Sequence, residues 1–222
     1  MPRTTIGPVI IGILGGTGPQ GRGLARRFAT AGHQVVLGSR SPERAASVAA
    51  GYTDVGRVSG TSNADAAAAA DLAVVTVPYE GHAELLIALR AELTGKIVVD
   101  CVNPLGFDKQ GPFPLAVDAG SAAQEAQRAL PDSTVVGAFH HVSAVHLDDP
   151  DVHRIEGDVL VLGEDRDAVD TVCQLATAIP GARGIYAGRL RNAGQVEAFT
   201  ANLIAINRRY KAHAGLTITD LA

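Results

Sequence analysis

Apolar runs and helix-like repeats alternate along most of this chain. Residues 9–14, 34–37, 72–78 and 96–102 are short, nearly continuous aliphatic runs, the pattern of strands covered on both faces. Between them apolar positions recur at helical spacing. Helices are expected over 20–31, from Pro42 through Val48, over 64–70 and over 82–93, the last with Leu85, Leu86 and Leu89 inward. Gly32 follows the first as a C-cap, Pro42 opens the second, and Asn63 is placed to cap the third. A short strand fits at 57–60. The stretch 104–120 is rich in Gly and Pro without a period, and reads as an irregular binding loop on the ligand side. Ser121 and Gln124 then make a capping-box pattern before another helix. A sixth strand is expected over 134–144 and a buried one over 159–163. After these come a helix with Val169, Val172, Ala176 and Ile179 on one face, and a last short strand at 185–188. Val196, Phe199, Leu203, Ile206 and Tyr210 repeat as an a/d stripe on a longer helix, facing either the protein's own core or a second subunit. Residues 215–218 read as a small strand or turn against the ligand cleft.

The first apolar run passes directly into Gly16-Thr17-Gly18-Pro19-Gln20-Gly21. Glycines at this spacing, between a strand and a helix, let the backbone approach a pyrophosphate and aim the helix's first N–H groups at it. With the strand–helix alternation, this predicts an α/β fold of Rossmann type: a doubly wound, mostly parallel sheet with a small C-terminal helical portion. Residues 1–8 form a tail, 9–145 the nucleotide-binding domain, and 146–222 a C-terminal portion completing the sheet. The end of the second strand selects the dinucleotide. NAD-binding folds place a carboxylate there for the ribose hydroxyls; this chain has Gly38, Ser39 and Arg40. Ser39 can donate to a 2′-phosphate while Arg40 and Arg44 neutralise it, which favours NADP(H), unless both arginines are merely solvated or Glu43 pairs with one. Val77, Pro78 and Tyr79 end the strand over the nicotinamide half, Tyr79 being equally a packing aromatic. His140 and His141, adjacent on a strand, would point to opposite faces and so not share a metal. His140 either touches ligand or satisfies a structural hydrogen bond.

Composition narrows the function. A net charge of −4 argues against a general nucleic-acid surface, and no apolar run reaches the roughly 18 residues of a membrane span. Cys101 and Cys173, without metal-type spacing, read as buried thiols. A cytoplasmic location is expected. No catalytic triad, zinc motif or phosphate-loop lysine is present, and none of Tyr52, Tyr79, Tyr186 and Tyr210 is followed by a lysine four residues on. Without a recognisable proton donor, a second redox ligand is attractive, since hydride transfer between two stacked rings needs orientation above all.

Gly15 to Gly21, Gly38-Ser39-Arg40, Val77-Pro78-Tyr79-Glu80, Ala138-Phe139-His140, Gly188 to Asn192, Val196-Glu197 and Gly215-Leu216 together resemble the NADPH-dependent reductases of coenzyme F420 over nearly the whole chain. The resemblance implies hydride exchange between NADP(H) and the deazaflavin coenzyme F420, with no catalytic side chain and no metal. It implies that the loop with Gly16, Thr17, Gly18, Pro19 and Gln20 wraps the pyrophosphate and that Ser39, Arg40 and Arg44 hold the 2′-phosphate. It also implies that Val77, Ala144 and Leu216 lie near the nicotinamide, and that His140 and Val142 line the deazaflavin cleft. The chain departs from the archaeal pattern in carrying His141-Val142-Ser143 where that pattern has Thr-Ile-Pro. Two rivals stand beside this reading: an NADP-dependent reductase of a small carbonyl or imine, with a Lys or Asp donor in the cleft, and a non-catalytic NADP sensor. Small redox cofactors, and a second copy as a homodimer, are the expected partners.

Overall fold

The computed structural model describes residues 6–221. Most of the tail expected over 1–8 lies outside them; Ile6 is half-buried against the core. The chain runs β1 (Ile10–Leu14), α1 (Pro19–Thr30), β2 (Gln34–Ser39), α2 (Pro42–Ala49), β3 (Val58–Ser62), α3 (Asn63–Ala69), β4 (Leu72–Val75), α4 (His82–Ala88), α5 (Arg90–Leu93) and β5 (Ile97–Asp100). It continues with β6 (Leu105–Asp108), β7 (Gly111–Pro114), α6 (Ala122–Ala129), β8 (Thr134–Gly137), α7 (Ala144–Asp148), β9 (Gly157–Gly163), α8 (Arg166–Ala176), β10 (Ala182–Gly188) and α9 (Ala193–Tyr210). Eight strands form one sheet in the order β10-β9-β8-β5-β4-β1-β2-β3. All neighbours are parallel except β8 and β9. The chain winds outward from β1 to β3, then crosses back to lay β4 on the other side of β1, so a crevice opens between the carboxyl ends of β1 and β4.

The buried runs explain the two-faced sheet. Ile11, Ile13, Val35, Leu37, Val74 and Val136 meet Leu24 and Phe28 of α1 and Val169 and Val172 of α8 on one face. Leu14, Val36, Ala73, Val75, Val98 and Val135 meet Ala66, Leu86 and the alanines of α6 on the other. Successive residues of each strand go to opposite layers, so the runs are apolar throughout. α7 packs along α1. The buried Arg27 secures it, donating to Leu147 O at 2.9 Å, to Asp149 O at 3.2 Å and to His146 O.

Several expectations change. The stretch 104–120 holds an antiparallel hairpin, β6 and β7, whose turn is tied by Asp108 Oδ1 accepting from the Gln110 and Gly111 N–H groups. Pro112 and Pro114 hide it from a periodicity reading, but both strands of a two-stranded ribbon are edges, where proline is tolerated. The expected helix over 82–93 breaks at Leu89. The strand expected over 134–144 stops at Gly137, because Phe139 takes φ +62° and turns the chain away. His140 and His141 therefore lie beyond the strand, and α7 starts at Ala144. Residues 215–218 form no strand; Leu216 O accepts from the Asp158 N–H at 2.7 Å. Cys101 is buried but Cys173 only half so. The a/d stripe of α9 is split: Leu203 is buried with Ala193, Glu197 and Ala201 and Val196 packs against the core, while Phe199, Ile206 and Tyr210 are 38, 38 and 73 % exposed. No helix among the described residues is long and apolar enough to cross a membrane.

Candidate functional site

The crevice between β1 and β4 is the mouth of a cleft of about 980 Å³. Its first wall is the turn from β1 into α1. Gly15 there has φ +73°, and a Cβ would stand 2.5 Å from Val77 Cγ1, so no other residue fits without strain. A Cβ on Gly21 would lie 2.6 Å from Gly16 Cα and 2.8 Å from Thr76 Oγ1, so α1 can begin directly over the strand ends. Gly18 is the N-cap of α1, and neither a side-chain cap nor an acidic residue satisfies its first turn. Those N–H groups, with Thr17, Gly18, Pro19 and Gln20 lining the cleft, make a ready anion site. Gly16 does not line the cleft. Its N–H donates to Gly38 O at 2.9 Å and it packs on Ile13 and Leu37, closing the turn from behind.

One end of the cleft is cationic. Arg40 and Arg44 are exposed and line it beside the buried Ser39, whose Oγ accepts from the Ser41 N–H at 3.2 Å. Glu43 does not compete for them, because its carboxylate accepts from Ser41 Oγ at 2.9 Å. No ion pair among the described residues engages either arginine. The other end is lined by Val77, Pro78, Cys101, Val102 and His140, and the exposed carboxylate of Glu80 lines the cleft beside Pro78. His140 is 6 % exposed, and neither ring nitrogen has a partner. Burial pushes its pKa down to about 4. It is a neutral imidazole with one N–H and one lone pair buried and unmet, an arrangement that costs stability.

The loop carrying His140 is held from every side. Gln20 Nε2 donates to Phe139 O at 3.1 Å, Asn103 Nδ2 to His140 O at 3.2 Å, and His141 Nε2 to Val196 O at 2.7 Å. Across this loop lies a second cavity of about 190 Å³, where Val142 and Leu216 meet His146 and His213. Ala144 lines neither cavity. Of the positions grouped around the nicotinamide end, Val77 and Pro78 are therefore in the large cleft and Ala144 and Leu216 are not. Tyr79 points the other way, its hydroxyl donating to Glu125 Oε1 at 3.4 Å.

Sequence reading missed what stands behind the cleft. His82, expected only to open a helix, is fully buried with Asp100; its Nε2 is 2.6 Å from Asp100 Oδ2 and its Nδ1 3.3 Å from Glu125 Oε2. Burial opposes its charge, but Asp100 and Glu125 overcome that and push the pKa up to about 9. Asp100 Oδ1 also accepts from the Val102 N–H at 3.0 Å, which fixes the cleft floor. The buried Glu197 accepts from the Ala122 and Ala123 N–H groups at 2.9 and 3.1 Å, anchoring α6, and burial raises its pKa to about 7. The one local signal was Asp100, a carboxylate ending an aliphatic run with no solvent to face. Among the described residues no cluster is arranged to hold a metal.

An uncapped helix start above one strand and a cationic pocket at the tip of the next define a dinucleotide-binding protein of the Rossmann class. Residues 10–104 match the family described as NADP oxidoreductase, coenzyme F420-dependent. The chain is 38% identical to the F420-dependent NADP reductase of Methanothermobacter thermautotrophicus, over 95% of each chain. It is 37% identical to that of Methanocaldococcus jannaschii, over 95% of this chain and 98% of the other. The crystal structure of a candidate F420-dependent NADP-reductase from Arthrobacter sp. FB24 superposes with a TM-score of 0.83 at 27% identity, covering 96% of this chain and all of that one. The chain belongs to the family of F420-dependent NADP reductases.

The buried His82 cation makes stability depend on pH. Below its ordinary pKa of 6.5 the folded and unfolded chains both hold the proton and the contribution is complete. Between 6.5 and about 9 only the folded chain holds it, so stability falls as pH rises through that window. The expected loss is about 3 kcal/mol. Urea denaturation at pH 6.5 and 9 measures it, and a flat profile would mean that His82 is not a buried cation.

Proposed function

We propose that this chain transfers hydride between NADP(H) and the deazaflavin coenzyme F420. The observation that carries this reading is the cationic end of the cleft at Ser39, Arg40 and Arg44, opposite a stretch lined by Val77, Pro78 and His140, with Glu80 as the one carboxylate and no lysine among the lining residues. Lys96, a donor that a carbonyl or imine reductase might be thought to use, is turned away, its Nζ donating to Ala67 O and Ala68 O. When bound, the two coenzymes supply the redox chemistry themselves, exchanging hydride between nicotinamide C4 and deazaflavin C5. The protein's part is placement. Thr17, Gly18, Pro19 and Gln20 and the first turn of α1 hold the pyrophosphate; Ser39, Arg40 and Arg44 hold the 2′-phosphate. Gly16 closes the turn, and Val77 and Pro78 back the nicotinamide. His140 and Val142 line the deazaflavin side from the loop after β8. Leu216 and Ala144 act from the second cavity and from α7, by shaping that loop. Residues 9–145 hold the dinucleotide, and 146–222 complete the sheet and the deazaflavin side. The reaction is cytoplasmic, in keeping with the buried thiol of Cys101.

We further propose a homodimer through the exposed face of α9, where Phe199, Ile206 and Tyr210 stand beside the hairpin with Phe107 and Phe113. Scattered exposed apolar residues are ordinary; three on one helix beside two exposed phenylalanines of the neighbouring hairpin make a patch.

Three measurements test these readings. Purified protein given NADPH and oxidised F420 should bleach the coenzyme's visible absorbance; no change between pH 5 and 9, with NADPH binding shown separately, would sink the hydride-transfer reading. Arg40→Ala should raise KM for NADPH by about 10- to 100-fold while moving NADH by less than about threefold; equal losses would remove Arg40 from the 2′-phosphate. Light scattering after size exclusion should give twice the chain mass, and Ile206→Glu with Tyr210→Glu should give the monomer. A wild-type monomer at micromolar concentration would refute the dimer.

A further inference from the structure

Asn63 looked from its place in the chain like a helix cap, but the cap of α3 is Ser62, whose Oγ accepts from the Asp65 N–H at 3.1 Å. Asn63 is instead buried, 7 % exposed, with its side chain turned under the glycine turn. Its Oδ1 accepts from the Gly15 N–H at 3.1 Å, across 48 residues of chain. It also lies against Gly38, where a Cβ would meet Asn63 Oδ1 at 2.7 Å and Asn63 Cα at 3.0 Å. Gly38 O in turn accepts from the Gly16 N–H at 2.9 Å. One amide thus joins the loop facing the pyrophosphate to the strand end that carries Ser39. Its Nδ2 makes no hydrogen bond among the described residues, although the side chain lines the cleft between Gly15 and Ser39.

We propose that Asn63 is a dinucleotide-binding residue: Oδ1 fixes the glycine turn, and that bond orients Nδ2 as a donor to the pyrophosphate or adenosine ribose, the part common to NADPH and NADH. The argument is one of orientation. An amide whose oxygen is held from one side presents its nitrogen to the other, and that side is the cleft. The position also excludes a carboxylate on electrostatic grounds. An aspartate would keep the bond to Gly15, replace the donor with an acceptor, and set a negative charge against the ligand's phosphates.

The proposal rests on the NADP(H) reading of the cleft but not on the identity of the hydride acceptor. It is therefore tested by direct binding. Titration calorimetry with NADPH and with NADH would compare the wild type, Asn63→Ala and Asn63→Asp, alongside their melting temperatures. Asn63→Ala should weaken both dinucleotides alike, by about tenfold. Asn63→Asp should weaken them further, on the order of 100-fold, with a melting temperature close to that of the wild type because the Gly15 bond survives. Wild-type affinity in Asn63→Asp would mean that only the Gly15 bond matters and would overturn the donor role. A loss confined to NADPH would overturn the placement on the shared part of the ligand. Should Asn63→Ala fail to fold, Asn63→Asp carries the test alone. Failure of the wild type to bind either dinucleotide would overturn both the proposal and the reading beneath it, whereas binding without turnover of F420 would overturn only the hydride acceptor.

Discussion

The cleft depends on an absence of atoms. α1 can start over the ends of β1 and β4 only because no Cβ stands at Gly15, Gly16 or Gly21. With any of the three filled, the helix would be pushed off the strand tips by contacts of 2.5–2.8 Å that backbone and β-branched neighbours cannot yield. The consequence is electrostatic as well as steric. Close seating brings the first-turn N–H groups of α1 to the cleft, and the lack of a side-chain cap or acidic residue leaves them for a ligand. In most helices such donors are met by a cap worth about 1 kcal/mol. Here that stabilisation is forgone, and α1 is held by its packing on the core and by Arg27 instead.

Charge along the cleft is graded to match. Exposed arginines at one end can neutralise a phosphate without first being desolvated, which suits an ion pair that forms and dissolves in every turnover. At the other end the exposed Glu80 is the one carboxylate lining the cleft, and further charges lie behind the wall. His82 is a cation, but it faces Asp100 and Glu125 and not the cleft. His140, which does face the cleft, is held neutral by burial.

How much of this was legible follows from where each signal lies. The parallel sheet and its helices are written in local period, so their order was readable apart from shifts of a few residues. That Gly18, Gln20, Ser39 and Arg40 line one cleft was readable for the same reason, since they sit at fixed offsets from strand ends. His82, Asp100, Glu125 and Glu197 were not, because their meaning is a set of contacts between residues 18 to 75 positions apart in chain, and no local pattern encodes that. Asn63 was misread for a subtler reason. A cap and a tertiary acceptor use the same oxygen, and Ser62 next to it was the better cap. The stripe on α9 shows the limit of periodicity itself: the spacing was right, but which face is buried is decided by α6 and the hairpin strand β7.

The C-terminal third of the chain also makes sense once its target is identified. Phe139 sits at φ +62°, a conformation that costs a bulky residue of order 1–3 kcal/mol and persists only where its surroundings hold it. Those surroundings are recruited from the whole molecule: Phe28 packs edge-on at 5.9 Å, Gln20 binds its carbonyl, and Asn103 binds the next. Thr200 of α9 then holds Asn103 Oδ1 at 3.3 Å, and Val196 of the same helix accepts from His141. α7, bolted to α1 by Arg27, fixes the other end of the loop. β9, β10 and α8 extend the sheet, while α7 and α9 border the loop of residues 138–143. Their shared effect is to keep the His140 ring buried, neutral and unpartnered at the edge of the cleft, a state the loop would not hold on its own.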